Sequence, residues 1–134
     1  MNTKHNNSFK ILLVDDDPIT NYISKIQLKN LGFENIDAVE NGKQAIAYVK
    51  NECPNLIFLD INMPIMDGFE FLEWRKANNL CPSTAIIVLT SSGRPSDQKR
   101  AIEFQGVIEY LEKPLNYDKI HQTLLKLRAE ASNF

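Results

Sequence analysis

The sequence lacks the features that mark most specialised classes of protein. Its 15 Lys and Arg residues nearly balance 17 Asp and Glu residues, and the formal net charge is only −2. That balance gives no basic surface for nucleic acid or for an anionic membrane. No apolar run comes near the roughly 20 residues that span a bilayer. The hydrophobic fraction of 43% is typical of an ordinary globular chain.

Cysteine is equally scarce, with only Cys53 and Cys81 in the chain. The two lie far apart and match no zinc-binding or redox spacing, so we expect reduced thiols that pack or lie at the surface. The polar N-terminus has no apolar stretch of the kind found in signal peptides. We therefore expect a cytoplasmic protein, with a disordered tail at residues 1–8 and one domain at residues 9–134.

Five short apolar runs alternate along the chain with five segments of helical spacing. Runs that are apolar at every position are typical of strands buried on both faces of a parallel sheet. The distance between runs leaves room for one crossover helix each time. This alternation predicts a doubly wound α/β fold. The predicted strands are Lys10–Val14, Asn35–Val39, Leu56–Leu59, Ala85–Leu89 and Val107–Leu111.

The helical segments carry apolar residues three and four positions apart, which predicts the faces that they bury. The first helix is expected to begin at Pro18 and to end near Gly32, because proline favours a helix start and glycine a helix end. Its expected buried face consists of Ile19, Tyr22, Ile23 and Ile26. The expected faces of the later helices are Ala45, Ile46 and Val49; Phe69, Leu72 and Ala77; Ala101, Ile102 and Phe104 within 95–105; and Ile120, Leu124 and Leu127 within 116–131.

The buried runs end at residues able to bind a cation or a phosphoryl group. Right-handed crossovers place the carboxyl ends of parallel strands at one edge of the sheet, where ligands bind in such folds. Carboxylates gathered there repel one another unless a cation lies between them, and a few carboxylates with waters suit Mg²⁺. The residues concerned are Asp15, Asp16, Asp17, Asp60, Thr90 and Lys113.

This set of residues has the chemistry of phosphoryl transfer to an aspartate. A carboxylate between a cation and a lysine can act as the nucleophile. Lys113 would neutralise developing charge, and Thr90 would donate a hydrogen bond to a phosphoryl oxygen. Each residue alone has a simpler explanation, and Asp17 before Pro18 is expected to be a helix N-cap. The hypothesis rests on the joint occurrence of these groups at the ends of different strands.

These motifs resemble the receiver domain of two-component response regulators. ILLVDDDP is similar to the family's acidic pair after the first strand, which implies that Asp15 and Asp16 bind the metal. LIFLDINMPIMDG is the most specific stretch, and its similarity to the family's phosphoacceptor segment identifies Asp60 as the acceptor. VLTSS matches the family's switch hydroxyl at Thr90, and YLEKP matches its lysine at Lys113.

The resemblance extends over roughly residues 9 to 131 and implies further features. The backbone carbonyl of Asn62 would bind Mg²⁺ together with Asp60, and Tyr110 would be the family's switch aromatic. The peptide bond between Lys113 and Pro114 would be cis, a geometry found almost only before proline. The implied fold is flavodoxin-like, with five helices and a parallel sheet in the strand order 2-1-3-4-5.

The implied function is a signalling switch that is controlled by phosphorylation. A sensor histidine kinase or a histidine phosphotransfer protein presents a phosphohistidine, and the chain catalyses transfer to Asp60 and its own later dephosphorylation. Thr90 and Tyr110 then move, and the surface of the fourth helix, last strand and last helix changes for a downstream protein target. Neither nucleic acid nor membrane is an expected direct partner. The sequence leaves open whether phosphorylation causes dimerisation.

Two other functions stay open as alternatives. A haloacid-dehalogenase-like phosphatase also forms an aspartyl phosphate, but it needs a second aspartate where this chain has Asn62. A degenerate receiver would act only as a docking module, although the complete acidic set with Thr90 and Lys113 argues against this. Since the chain ends shortly after the last predicted helix, we expect a stand-alone receiver similar to chemotaxis regulators, with a piece of a longer regulator as the alternative.

Overall fold

The computed structural model describes residues 9–132, so the predicted tail at residues 1–8 lies outside the described part of the chain. In this part of the chain, five strands alternate with five helices, as the apolar runs predict. The strands are β1 (Lys10–Val14), β2 (Asn35–Val39), β3 (Leu56–Leu59), β4 (Ala85–Thr90) and β5 (Val107–Glu112). The helices are α1 (Pro18–Asn30), α2 (Gly42–Asn51), α3 (Gly68–Asn78), α4 (Pro95–Ile102) and α5 (Tyr117–Ser132). Within residues 9–132, no helix is long and apolar enough to cross a bilayer.

The five strands form one parallel sheet in the order β2-β1-β3-β4-β5, which confirms the predicted topology. Alternate residues of each strand point to opposite faces, so the central strands contribute to two hydrophobic cores. α2, α3 and α4 cover one face, where Leu12, Ile57 and Ile86 pack. α1 and α5 cover the other, where Leu13 and Phe58 pack. The strand order leaves the carboxyl ends of β1 and β3 side by side.

Side-chain caps fix where three of the helices begin. The carboxylate of Asp17 accepts a hydrogen bond from the Ile19 backbone amide at 3.0 Å, which confirms Asp17 as the predicted N-cap of α1. Asn41 caps α2 in the same way. α3 begins with a capping box in which Asp67 and Glu70 accept hydrogen bonds from each other's backbone amides. The loops after β1 and β3 are therefore held in place by short-range contacts.

The predicted buried face of α1 is wrong, because that helix is apolar on its outer side. Ile19 and Tyr22 are 68% and 67% exposed, and Ile23 and Ile26 are also exposed. The buried residues of α1 are Asn21, Ser24 and Leu28. Spacing alone cannot separate two stripes that lie half a turn apart, since both repeat every three or four residues. The polar stripe faces inward because Asn21 donates to the backbone carbonyls of Asp15 and Val39 at the ends of β1 and β2.

Two smaller predictions about the helices are also wrong. Ala77 of α3 is exposed, and the buried positions of that helix include Phe71 and Arg75. Ile102 is 52% exposed, since α4 ends there and not at Gln105. The chain then turns through Gly106, whose φ of 94° is a left-handed conformation that glycine adopts without strain. The faces predicted for α2 and α5 are confirmed at Ala45, Val49, Ile120 and Leu124, which are buried.

The prediction of two reduced thiols is wrong, because Cys53 and Cys81 form a disulfide. Cys53 lies just before β3 and Cys81 lies shortly before β4. These strands are parallel neighbours, so the segments that enter them lie side by side at the amino end of the sheet. The two Cα atoms are 5.4 Å apart. Short cysteine motifs cannot reveal this pairing, since the sheet and not the local sequence brings the two residues together.

Reduction of the disulfide is expected to lower the free energy of unfolding by about 3 kcal/mol, because the cross-link restricts a long loop of the unfolded chain. The measurement is urea unfolding of the protein before and after reduction with a phosphine. A protein in which both cysteines are replaced by serine is the control, and phosphine should leave its urea midpoint unchanged. Equal unfolding midpoints for the oxidised and reduced protein would contradict the expectation.

Candidate functional site

Four strand ends bring the predicted site residues together at one edge of the sheet. Asp15 directly follows β1, Asp60 follows β3, Thr90 is the last residue of β4, and Lys113 follows β5. The backbone amide of Asp60 donates to the Val14 carbonyl at 2.9 Å, so the end of β3 is fixed against the end of β1. Parallel pairing thus assembles residues that are almost 100 positions apart in the chain.

Lys113 lies between the two buried carboxylates of the site. Its Nζ donates to Oδ2 of Asp15 at 2.6 Å and to Oδ2 of Asp60 at 3.2 Å. Asp15 and Asp60 are 6% and 5% exposed. Burial raises the pKa of Asp15 above its usual value, although the hydrogen bond from Lys113 opposes the shift. Burial acts to lower the pKa of Lys113, but its contacts with Asp15 and Asp60 outweigh this and raise it. The lysine is therefore a fixed cation.

The third carboxylate, that of Asp16, gives this cluster an open side. Asp16 is exposed, and one carboxylate oxygen from each of Asp15, Asp16 and Asp60 lies within 4.8 Å of the others. An all-oxygen set of carboxylates that is open to water matches the ligands of Mg²⁺, which keeps several waters when bound to protein. One lysine offsets only part of the negative charge of three carboxylates. The donor set therefore fits a divalent cation.

The loop after β3 is held tightly around Asp60. Oδ1 of Asp60 accepts a hydrogen bond from the Asn62 backbone amide at 3.0 Å, so both carboxylate oxygens are oriented. Gly68 begins α3 directly against this loop. A Cβ atom at Gly68 would lie 2.6 Å from the Asp60 carbonyl oxygen and 2.7 Å from the Ile61 Cα. The close approach of α3 to the acceptor loop therefore requires glycine at this position.

Thr90 is fully buried beside the carboxylates. Its Oγ1 accepts hydrogen bonds from the Asn62 side-chain amide and the Ser92 backbone amide, each at 3.3 Å. The Thr90 carbonyl accepts from the Lys113 backbone amide at 2.8 Å. The peptide bond between Lys113 and Pro114 is cis, as the resemblance implies. Thr90 thus contacts the loop after β3 and the segment after β5.

Tyr110 links β5 to the loop before α4. Its hydroxyl donates to the Ser92 carbonyl at 2.9 Å, and the ring is half-buried against the core under α4. The Ser92 hydroxyl in turn donates to the carboxylate of Asp97 in the first turn of α4 at 2.6 Å. A chain of contacts therefore runs from Thr90 through Ser92 to Tyr110 and α4.

Asn21 is a site residue that sequence reasoning missed. Its side-chain amide donates to the Asp15 carbonyl at 2.9 Å and to the Val39 carbonyl at 3.3 Å, so it holds the end of β1 beside β2. Ser24, one turn further along α1, is buried on the same side. Polar residues three apart, half a turn from the Ile stripe, are the signal that could have identified this inward face.

A family model described as the response regulator receiver domain matches residues 11–125. The probable chemotaxis protein CheY of Rhizobium etli is 32% identical over 111 residues, which cover 83% of this chain and 85% of that protein. The protein PilG of Pseudomonas aeruginosa is 29% identical over 117 residues, covering 87% of this chain and 85% of PilG.

Other relatives are much longer than this chain. It spans 33% of the transcriptional regulatory protein YesN of Bacillus subtilis, with 34% identity over 124 residues. It spans 53% of the probable C4-dicarboxylate response regulator DctR of Priestia megaterium and 13% of the sensor protein GacS of Pseudomonas syringae. The shared part therefore occurs in proteins of very different size.

Solved structures agree with the sequence comparison. The signal receiver domain of a putative Luxo repressor protein from Vibrio parahaemolyticus superposes with a TM-score of 0.80 at 29% identity, over 92% of each chain. The N-terminal domain of an uncharacterized protein from Wolinella succinogenes gives a TM-score of 0.83 at 26% identity, over 93% of this chain and 98% of that one. This chain belongs to the response regulator receiver domain family of two-component systems.

Proposed function

We propose that the chain accepts a phosphoryl group on Asp60 from a phosphohistidine, in a reaction that depends on Mg²⁺. The observation that carries this proposal is the position of the Asp60 carboxylate, which contacts Lys113 and lies within the acidic cluster at the open edge of the sheet. A buried carboxylate that contacts a lysine and lies among metal-binding oxygens has the environment of an aspartate nucleophile. The donor is a histidine kinase or a histidine phosphotransfer protein.

Each residue of the site has a separate role in the transfer. Asp15, Asp16, Asp60 and the backbone carbonyl of Asn62 would hold Mg²⁺, which, when bound, neutralises charge on the phosphoryl oxygens. Lys113 would supply a second positive charge, in contact with the Asp60 carboxylate. One Asp60 oxygen forms the new bond to phosphorus, and the histidine nitrogen of the donor leaves. The same residues would orient the water that later hydrolyses the aspartyl phosphate.

The contacts of Thr90 suggest how phosphorylation is transmitted to the surface. A phosphoryl oxygen on Asp60 would accept a hydrogen bond from the Thr90 hydroxyl, whose oxygen accepts from Asn62 and Ser92 in this structure. Movement of Thr90 toward the phosphoryl group would shift Ser92, whose carbonyl holds Tyr110. Tyr110 would then turn inward and the α4–β5–α5 surface would change for a downstream protein target. The proposal is a population shift between two arrangements of this chain of contacts.

Replacement of Asp60 with alanine is expected to abolish incorporation of label from radioactive acetyl phosphate, since no nucleophile is left at the centre of the site. Chelation of Mg²⁺ should abolish labelling of the parent protein as well. The control is Asp17→Asn, because Asp17 caps α1 and lies outside the acidic cluster. Labelling of the Asp60→Ala protein at the parent rate would show that Asp60 is not the acceptor.

Replacement of Lys113 with alanine is expected to slow labelling by acetyl phosphate by about 100-fold, the usual effect of removing one group that stabilises transition-state charge. Asp60 should still be the labelled residue. The matched control is Lys126→Ala, which removes an exposed lysine from α5. The measurement is the initial labelling rate at saturating Mg²⁺, and a rate within twofold of the parent would exclude a role for Lys113.

The exposed apolar face of α1 supports a docking surface for the phosphodonor. Ile19, Tyr22, Ile23 and Ile26 form this face, and α1 begins two residues after Asp16. Clustered apolar side chains at the surface of a small domain are typical of protein contacts. A partner helix placed on this face would lie beside the open side of the acidic cluster. We propose that the phosphohistidine protein binds there.

Replacement of Tyr22 with serine is therefore expected to slow phosphotransfer from a histidine kinase by about tenfold, as loss of one central interface side chain does. The donor is the fastest one found in a panel of purified, autophosphorylated kinases. Labelling by acetyl phosphate, which needs no docking surface, should stay unchanged. Ile108→Ser is the control, since Ile108 is an exposed apolar residue on the distant strand β5. If labelling by the kinase and labelling by acetyl phosphate slowed equally, the defect would lie in the site and not in docking.

The two alternative functions make different predictions in the same assays. A haloacid-dehalogenase-like phosphatase would turn over a phosphomonoester such as p-nitrophenyl phosphate, whereas a receiver would not. A degenerate receiver would fail to bind Mg²⁺ at millimolar concentration. The complete acidic cluster with Lys113 favours the phosphorylated switch over both.

The remaining parts of the proposal concern the context of the domain. We propose that residues 9–134 act as one receiver unit and that it works in the cytoplasm, where a kinase can present its phosphohistidine. Dimerisation on phosphorylation would use the α4–β5–α5 surface. Light scattering with and without the phosphoryl analogue beryllofluoride tests this point, and an unchanged mass would leave the domain a monomeric switch.

A further inference from the structure

The disulfide between Cys53 and Cys81 has one accessible and one protected end. Cys53 is exposed, whereas Cys81 is 4% exposed and packs in the core beneath α2 and α3. We propose that this disulfide is a reversible modification site, which a low-molecular-weight thiol opens by attack on Sγ of Cys53. The Cys81 sulfur is then the leaving group. This asymmetry follows from burial, because a thiolate must reach the sulfur that it attacks.

The buried end of the disulfide, Cys81, lies beside a backbone carbonyl that a reduced thiol could use. Sγ of Cys81 lies 3.7 Å from the carbonyl oxygen of Val49 at the end of α2. In the disulfide this sulfur carries no proton. After reduction the Cys81 thiol can donate a weak hydrogen bond to that carbonyl, so the buried group has an acceptor within reach. The buried thiol therefore has a hydrogen-bond acceptor close by when the disulfide opens.

The two segments that carry the cysteines are also joined by bonds that do not depend on sulfur. The Thr84 hydroxyl donates to the Pro54 carbonyl at 2.6 Å, and the Ala85 amide donates to the Asn55 carbonyl at 3.1 Å. The guanidinium of the buried Arg75 donates to the Cys81 carbonyl at 2.9 Å. These contacts keep the two sulfurs close after reduction, so the disulfide can form again within the folded protein at high effective concentration.

The chemical step is an ordinary thiol–disulfide exchange. A thiolate forms a bond to Sγ of Cys53, the bond between the two cysteine sulfurs breaks, and Cys81 leaves as a thiolate that takes a proton from water. A second thiolate then attacks the outer sulfur of the mixed disulfide and releases Cys53. Two electrons pass from two external thiols, which become one disulfide, to the protein. The reverse sequence with an external disulfide restores the cross-link.

This modification site lies at the end of β3 opposite to the phosphoacceptor. Cys53 lies three residues before β3 and Asp60 directly follows it, so Pro54, Asn55 and the four strand residues lie between them. At about 3.3 Å per residue, the four strand residues alone span roughly 13 Å. The cross-linked loop also contains Asp60 and all of α3. Thiol exchange would therefore change the stability of the segment that carries the acceptor without contact with the acidic cluster.

The test is to incubate the oxidised protein with reduced glutathione and to map adducts by mass spectrometry after acid quenching. The expected adduct is a mixed disulfide on Cys53, in about tenfold excess over one on Cys81, because Cys53 is the exposed residue of the pair. Adducts in equal amounts on both cysteines, or a disulfide that opens only when urea is added, would overturn the proposal. The mapping uses the parent protein and needs no phosphoryl group, so its result does not depend on the proposed role of Asp60.

Two single variants give an independent measurement, because each leaves one cysteine as a free thiol whose reaction rate can be determined. Glutathione disulfide should modify Cys53 in the Cys81→Ser protein about ten times faster than it modifies Cys81 in the Cys53→Ser protein. Far-UV circular dichroism checks that both variants are folded. The two rates should become equal in urea, since unfolding removes the difference in burial. Equal rates in the folded variants would overturn the proposal.

Discussion

The contact of one ammonium group with two buried carboxylates is the interaction on which the site depends. Lys113 bridges Asp15 and Asp60, and its backbone amide also bonds to the Thr90 carbonyl. The ends of β1, β3, β4 and β5 are thus held by a single residue. Without this cation, two desolvated carboxylates would face each other at the edge of the sheet and repel each other. Lys113 offsets only part of the negative charge of Asp15, Asp16 and Asp60, and the remaining charge favours binding of a divalent cation such as Mg²⁺.

The two ends of β3 differ in the contacts that surround them. At the carboxyl end, Asp60 lies among polar groups that can exchange partners, because the Asn62 amide and the Thr90 hydroxyl could each donate a hydrogen bond to a phosphoryl oxygen. At the amino end, the disulfide and the hydrogen bonds of Thr84 and Arg75 fix the backbone. A firmly bonded end and a polar end of the same strand suit the proposed change of surface, which must leave the fold intact.

Most of the fold could be predicted because its strands are marked strongly by local sequence. LIFL and AIIVL are apolar throughout, so their burial is evident, and their boundaries are predicted to within one residue. The inward face of α1 could not be predicted, since its Ile stripe and its polar stripe have the same period. The disulfide was missed for a related reason: Cys53 and Cys81 meet only because β3 and β4 are neighbours.

The sequence by itself determined the elements, their order and the chemical groups at the end of each strand, because these depend on short-range patterns of polarity and on caps such as Asp17. Only the tertiary structure decided which groups touch: that Lys113 bridges Asp15 and Asp60, that Asn21 holds the Asp15 backbone, and that α1 turns its isoleucines outward. Contacts between residues distant in the chain are set by strand pairing and burial, and neither is written in any local stretch of sequence.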